Sequence, residues 1–165
     1  MAWVYWAIVA AAVFHIGEEC ATGFLAWFRR ALPSLAAGMT ARWAVAINVL
    51  FLLVCLGAAA LPQAPPVLRL IAPGVVLVNA ALHAGISLAR GEYSPGLVTA
   101  CVLYMPLGWW AFDQTARVHG LGAGEVLLAG ALSIAAHAVA PITLRVLAYR
   151  AGSVDRTRPP APPVS

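Results

Sequence analysis

The sequence predicts an all-α fold: a polytopic membrane helix bundle with five transmembrane helices, an outside N-terminus and a cytoplasmic C-terminus. Of 165 residues, 62% are hydrophobic and only 10% are charged, whereas a soluble domain carries about 25% charged residues. Apolar stretches of about 20 residues, the length that crosses about 30 Å of hydrocarbon, recur along the whole chain. Gly- and Pro-rich breaks separate these stretches. The length allows one membrane domain.

The breaks divide the chain into five predicted helices. They cover residues 3–28, 41–61, 68–89, 96–113 and 122–148. Together they make up a transmembrane domain over residues 1–150. The remaining residues, 151–165, contain four prolines and charged side chains, and such a composition cannot build a core. We therefore expect a disordered cytoplasmic tail.

The arginines predict the orientation. All ten cationic residues are arginines, and they cluster at the ends of the apolar segments. Five crossings place eight of them on the side of the C-terminus and two on the other side. The two groups are Arg29, Arg30, Arg42, Arg90, Arg145, Arg150, Arg156 and Arg158, against Arg69 and Arg117. Because cytoplasmic loops carry the positive excess, this pattern predicts a multi-pass membrane protein with a cytoplasmic C-terminus and gives no sign of a nucleic-acid partner.

Two adjacent carboxylates and an imidazole interrupt the first apolar segment. They are His15, Glu18 and Glu19, spaced so that both carboxylates lie on the imidazole's side of a helix. An acidic residue at the centre of a membrane helix costs roughly 2.5–3.5 kcal/mol on insertion scales. That cost favours a functional role for the three residues.

Polar side chains on three helices share one depth. Counted from the arginine that ends each helix, Glu18, Glu19, His83 and His137 lie seven to eleven residues inside. At about 1.5 Å rise per residue, this is roughly 10–16 Å inside the arginine layer, and His15 is deeper at about 21 Å. The agreement predicts one site in the cytoplasmic half of the membrane.

A metal is the first interpretation of this site. Ligands that project from facing helices are how metal sites are built in helix bundles. We expect His15, Glu19, His83 and His137 to bind Zn, Fe or Mn. In this interpretation Glu18 is a general base or a further ligand, and the substrate is a membrane lipid or another lipidic molecule, processed by hydrolysis or oxidation. Asn79 and Ser133, one turn before His83 and His137, are candidates to support the ligands or hold the substrate.

Two alternatives stay open. Two carboxylates in a low dielectric do not both ionise easily, so one could donate a proton in a metal-independent cyclase or isomerase of an isoprenoid-like lipid. Glu and His side chains within a membrane also occur in proton relays, and a non-enzymatic module that binds lipid or passes protons has the same composition.

The motifs resemble a known family. His15-Ile16-Gly17-Glu18-Glu19, a later His83 and the element Tyr93-Ser94-Pro95-Gly96 occur in the order found in the HXXEE-domain family of small bacterial membrane proteins. The resemblance covers roughly residues 10–140. It implies a multi-pass protein of the bacterial cytoplasmic (inner) membrane and no particular reaction. Pro95 suits a first helical turn with Ser94 as its N-cap. Tyr93 is expected at the cytoplasmic mouth of the site, where it joins Glu18 and Glu19 as a candidate catalytic residue.

Overall fold

The computed structural model describes residues 2–36 and 38–156, and every regular element in these ranges is a helix. This confirms the predicted all-α class. The elements are α1 (Ala2–Thr22), α2 (Phe24–Ala31), α3 (Ala41–Ala60), α4 (Pro66–Arg90), α5 (Leu97–Thr99), a π-helical turn (Ala100–Tyr104), α6 (Met105–Val118) and α7 (Ala123–Arg156). Helix α7 continues past the predicted domain boundary at residue 150 and ends at Arg156. The rest of the predicted tail, residues 157–165, lies outside the described residues.

Three of these helices are long and apolar enough to cross a membrane. They are α1, α3 and α4, each with at least 20 residues. Such helices are typical of a membrane protein. The prediction of five crossings and of the two terminal orientations goes further than this observation.

The first predicted helix, residues 3–28, is wrong at its C-terminal end. Gly23 adopts a left-handed conformation with φ +75°, which ends α1 and separates it from the short helix α2. Trp27 in α2 is buried, whereas Arg29 and Arg30 lie in its last turn. The run of apolar residues conceals this break, because a glycine within an apolar stretch leaves the hydrophobic pattern intact.

Helix α5, the π turn and α6 follow one another without a break and form one rod, which we call the 97–118 helix. The main apolar core lies between this helix, α1, α3 and α4, and includes Tyr5, Ile8, Val76 and Tyr104. Helix α7 packs against α4 on the other side.

Contacts at the two ends of the bundle give the directions of its helices. At one end, Arg30 after α1 lies 3.8 Å from the carboxylate of Glu92 after α4. At the other end, Tyr5 near the start of α1 shares a 2.7 Å hydrogen bond with Thr115 near the end of α6. Thus α1 and α4 run in the same direction, and the 97–118 helix runs against α1. Alternating passage of the chain through the bundle produces this pattern.

The close contact of α4 with α7 depends on the absence of a side chain at Gly74. A Cβ atom at Gly74 would lie 2.2 Å from Ser133 Oγ and 2.9 Å from Ser133 Cβ, whereas a Cβ at Gly85 on the same helix would meet nothing within 4 Å. Gly74→Ala should therefore lower the free energy of unfolding by about 1–3 kcal/mol. The control Gly85→Ala should leave it unchanged or raise it by up to about 1 kcal/mol, since alanine is the better helix former. Thermal unfolding of the two purified variants measures the difference, and equal stabilities would contradict this packing.

Candidate metal centre

Three buried side chains from two helices converge at one point. His15 and Glu19 lie on α1 and His83 lies on α4, and their exposed fractions are 2%, 6% and 5%. Both imidazole Nε2 atoms lie 3.5 Å from the same carboxylate oxygen, Glu19 Oε1. The ligand atoms all lie within 4.8 Å of one another, close enough for one metal ion to touch all three. We refer to these residues as the His–Glu–His group.

The distances between the ligand atoms of the His–Glu–His group distinguish metal ligands from hydrogen-bond partners. A hydrogen bond between N–H and oxygen has a length of about 2.7–3.2 Å, so a separation of 3.5 Å is too long for a good one. Two ligand atoms about 2.0–2.1 Å from a tetrahedral zinc ion are about 3.3–3.4 Å apart. In addition, His15 Nε2 is buried and has no hydrogen-bond partner among the described residues. The spacing therefore fits ligands around a small cation better than a network of direct hydrogen bonds.

A threonine hydroxyl orients His15. Its Nδ1 lies 2.8 Å from Thr99 Oγ1, and the same hydroxyl donates to the carbonyl of Gly96 at 3.2 Å. Because the Thr99 proton is engaged with that carbonyl, the hydroxyl oxygen is left to accept from Nδ1–H. A neutral His15 then has its lone pair on Nε2, directed toward Glu19. This is how metal-binding histidines are commonly oriented.

A serine hydroxyl shares a hydrogen bond with the corresponding nitrogen of His83. His83 Nδ1 lies 2.9 Å from Ser94 Oγ. Ser94 is fully buried, and its backbone N–H donates to Ser87 Oγ at 3.0 Å. Residues 93–96, which we call the motif loop, are thus tied to α4 and fix the imidazole plane of His83.

Gly96 closes the motif loop directly over the group. Its φ is +98°, and a Cβ atom there would lie 2.7 Å from His15 Cε1, 2.9 Å from His83 Cε1 and 3.2 Å from Glu19 Cγ. Both the backbone conformation and the lack of space require glycine. The HxxEE and Y-x-P-G elements are therefore packed against each other.

Glu18 faces away from the His–Glu–His group, toward the start of the 97–118 helix. Its carboxylate accepts backbone hydrogen bonds from Val98 at 3.1 Å and from Thr99 at 2.8 Å. It also accepts a hydrogen bond from the Tyr93 hydroxyl. Partial desolvation, followed by the neighbouring carboxylate, raises the pKa of Tyr93, so this hydroxyl remains a donor.

The start of the 97–118 helix differs from the sequence prediction. The helix begins at Leu97, and its N-cap is Gly96, whose own chain segment provides no capping side chain. Ser94, the predicted N-cap, binds His83 instead. Glu18 supplies the missing acceptor from α1, and its negative charge suits a helix N-terminus.

Removing this cap should cost stability. Glu18→Ala leaves two backbone N–H groups without their acceptor, and loss of a capping side chain costs about 0.5–2 kcal/mol. The matched control is Glu92→Ala, which removes a carboxylate that pairs with arginines at the surface and should change the stability little. We expect a lower thermal midpoint for Glu18→Ala than for Glu92→Ala. A midpoint for Glu18→Ala at or above that of the control would argue against the capping role.

Tyr104 lies beneath the group. Its ring centroid is 4.5 Å from that of His15, the residue is fully buried, and its hydroxyl has no hydrogen-bond partner among the described residues. It ends the π-helical turn that follows Thr99, and π turns are frequent at functional sites. Sequence analysis overlooked it, since an aromatic residue in an apolar helix has no distinguishing pattern.

The structure does not bring His137 into the His–Glu–His group, although the depth comparison predicts it there. Among the described residues the metal-compatible group contains only the other three predicted ligands. His137 Nδ1 lies 3.3 Å from the carbonyl of Ser133 on its own helix. The hydroxyl of Ser133 donates to the Ala129 carbonyl at 2.8 Å, and lies 3.3 Å from that of Ile71 on α4. Agreement in depth gives a level in the bundle but not a direction around it. His137 and Ser133 lie where α7 packs against α4.

A cavity of about 410 Å³ opens beside the group. Glu19, His83 and Ser94 line it together with Asn48, Asn79 and His137. The rest of the wall is apolar and consists of Phe24, Trp27, Phe28, Leu32, Leu35, Met39, Ala44, Ile47, Val78, Leu82, Ile86, Ile134 and Ala138. A concave apolar space with a few polar groups is the usual form of a small-molecule site.

Comparison with protein families gives a match over residues 6–111, to the family described as proteins of unknown function with an HXXEE motif. This segment is more than half of the chain. The chain belongs to the HXXEE family. No curated protein and no solved structure matches it.

The part of the chain that matches the HXXEE family contains the whole His–Glu–His group and the motif loop. It ends before α7, so His137 and Ser133 lie outside it. The three residues that meet in the His–Glu–His group therefore all lie within the segment that matches the family. Thr99 and Tyr104 are inside the segment as well, and the family motif gives no signal for either.

Proposed function

We propose that this HXXEE protein is a membrane-embedded, metal-dependent enzyme that acts on a lipidic substrate by hydrolysis or oxidation. The observation that carries the proposal is the buried His–Glu–His group at the wall of an apolar cavity. A carboxylate in such a place is costly unless a cation or a proton compensates its charge. A divalent cation compensates the charge and gives the site a chemical use.

The donor set fits a divalent metal. Two imidazoles and one carboxylate suit Zn, Fe or Mn, and three protein ligands leave a coordination position open for water or substrate, as in catalytic sites. His15, Glu19 and His83 would hold the ion, and Thr99 and Ser94 would orient the imidazoles. The bound ion would supply a Lewis acid that polarises substrate or water.

The cavity wall argues for a lipidic substrate. Side chains from α2, α3, α4 and α7 form an apolar lining that includes Phe24 and Trp27, and Glu19 and His83 belong to the same wall. An apolar chain would lie in the cavity with its reacting bond at these two residues. Glu18 and Tyr93 would act as positioning residues, because they hold the motif loop and the 97–118 helix against the group.

The same proposal includes five membrane crossings, made by α1, α3, α4, the 97–118 helix and α7, in the bacterial inner membrane. The arginine excess on one side supports a cytoplasmic C-terminus. The contact of Arg30 with Glu92 supports an even number of crossings between these two residues, made by α3 and α4, since it places the ends of α1 and α4 at the same end of the bundle. The site would then lie in the cytoplasmic half of the bilayer.

Lipid turnover tests the proposal. The protein is reconstituted in nanodiscs of bacterial lipid extract, with zinc, iron or manganese added or with a chelator, and lipid products are followed by mass spectrometry. We expect product formation that needs a metal and is lost in Glu19→Gln. Turnover that survives chelation would instead identify the metal-independent acid–base enzyme. Unchanged lipids in every condition, with metal bound, would favour a non-enzymatic lipid-binding or proton-relay module.

A further inference from the structure

A second set of polar groups lines the cavity apart from the His–Glu–His group. It comprises Asn48 on α3, Asn79 on α4 and His137 on α7. Asn79 precedes His83 by four residues on α4, so the two side chains lie on one face of that helix, about 6 Å apart along its axis. A ligand in the cavity can therefore lie against Asn79 and His83 at the same time.

Asn79 has an unused hydrogen-bonding group. Its Oδ1 is buried and has no hydrogen-bond partner among the described residues. Buried polar side-chain atoms are normally paired, and an unpaired one calls for an explanation. A ligand hydroxyl in the cavity that Asn79 lines offers one once the side-chain amide turns its oxygen toward that space, because a hydroxyl can donate to the amide oxygen and can also accept from the amide N–H₂.

We propose that Asn79 is a recognition subsite for a hydroxyl group, and that the molecule in the cavity is a lipid with a hydroxyl about one helical turn from the atoms near Glu19 and His83. Its identification as a substrate rests on the proposed function; its recognition by Asn79 does not. If a methylene group takes roughly the 30 Å³ of a water molecule, the cavity of about 410 Å³ holds on the order of a dozen carbons. Asn48 and His137 border the same space and limit where the hydroxyl can lie.

Photolabelling with defined probes tests the subsite. Metal-free protein in phosphatidylcholine nanodiscs is labelled with dodecanol that carries a mid-chain diazirine, and in parallel with the methyl ether of the same molecule. Labelled peptides are identified by mass spectrometry. We expect the alcohol to label the cavity residues Trp27, Leu82 and Ile86 at least fivefold more than the ether does, because only the alcohol can donate to Asn79 Oδ1. Equal labelling by the two probes in the unaltered protein would overturn the proposal, whatever the behaviour of any variant.

The variant Asn79→Leu keeps the size of the side chain and removes its polar atoms. We expect it to reduce the ratio of alcohol to ether labelling to about one while zinc binding by the His–Glu–His group is retained. A preference for the alcohol that survives in Asn79→Leu would overturn the assignment to Asn79. Zinc binding is measured separately on the same samples. An unaltered protein that prefers the alcohol but binds no zinc would count against the proposed function and not against the subsite.

Discussion

Replacing His83 by alanine is expected to remove metal from the protein. The wild type should hold about one ion of zinc, iron or manganese per chain, and His83→Ala leaves only His15 and Glu19 in the group. The affinity should fall by more than the roughly 10- to 100-fold that is typical when a residue that merely orients a ligand is lost. Metal content of the purified proteins by plasma mass spectrometry, followed by zinc titration, measures the effect.

His137→Ala is the matched control for this experiment. It removes the same chemical group from the same cavity wall, but His137 is not in the His–Glu–His group. We expect its metal content to equal that of the wild type. Equal metal in His83→Ala and wild type, or equal loss in both histidine variants, would contradict the assignment of the ligands.

The second large effect is expected from Gly96→Ala. The new Cβ would meet His15 at 2.7 Å and His83 at 2.9 Å, on a backbone with φ +98°. Overpacking costs about 1–3 kcal/mol, and the unfavourable backbone conformation adds about 1–3 kcal/mol. We therefore expect the free energy of unfolding to fall by about 2–6 kcal/mol, and metal binding to be lost because both imidazoles are displaced.

The control Gly91→Ala separates the cost of the backbone conformation from the cost of overpacking. Gly91 also has a positive φ, +63°, but a Cβ atom there would meet nothing within 4 Å. It should lose only about 1 kcal/mol from the backbone conformation and should keep its metal. Thermal unfolding and metal content of both variants make the comparison. If the two alanine variants behave alike, the motif loop does not press on the group as the structure indicates.

The convergence of Glu19 with His83 could be predicted from the sequence. Each residue carries an unusual side chain for an apolar helix, and the distance of each from the arginine at its helix end gives a common depth. Helix geometry converts residue counts into depth, and Glu19 and His83 do meet, although the break at Gly23 interrupts the count from Arg29. The family motif independently includes the same residues.

The same reasoning could not predict where each residue lies around the bundle at a given depth. His137 has the same predicted depth, yet it belongs to α7, which packs on α4 rather than on α1. Depth is a one-dimensional quantity, and packing of helices around one another depends on close contacts such as that of Gly74 with Ser133. Nothing in a single sequence gives these contacts.

The sequence also could not show that the adjacent glutamates contact different parts of the structure. Consecutive residues on a helix point about 100° apart, so Glu19 turns toward the histidines while Glu18 turns toward the N-terminus of the 97–118 helix. The sequence predicts that both carboxylates belong to one site, with Glu19 as a metal ligand and Glu18 as a general base or a further ligand. Glu18 turns to the N-terminus of the 97–118 helix, and the position of that terminus depends on how the motif loop folds.

X-ray absorption at the metal edge of purified, folded protein tests the central claim most directly. The account predicts one ion per chain with two imidazole nitrogens and one carboxylate oxygen among its ligands, at about 2.0–2.2 Å if the ion is zinc. In His15→Ala and His83→Ala the purified protein should lose the signal, and any zinc that excess metal returns to the group should show one imidazole contribution instead of two. A folded wild-type protein that binds none of the three metals, or a bound ion whose spectrum is unchanged in both variants, would contradict the claim that His15, Glu19 and His83 form a metal centre.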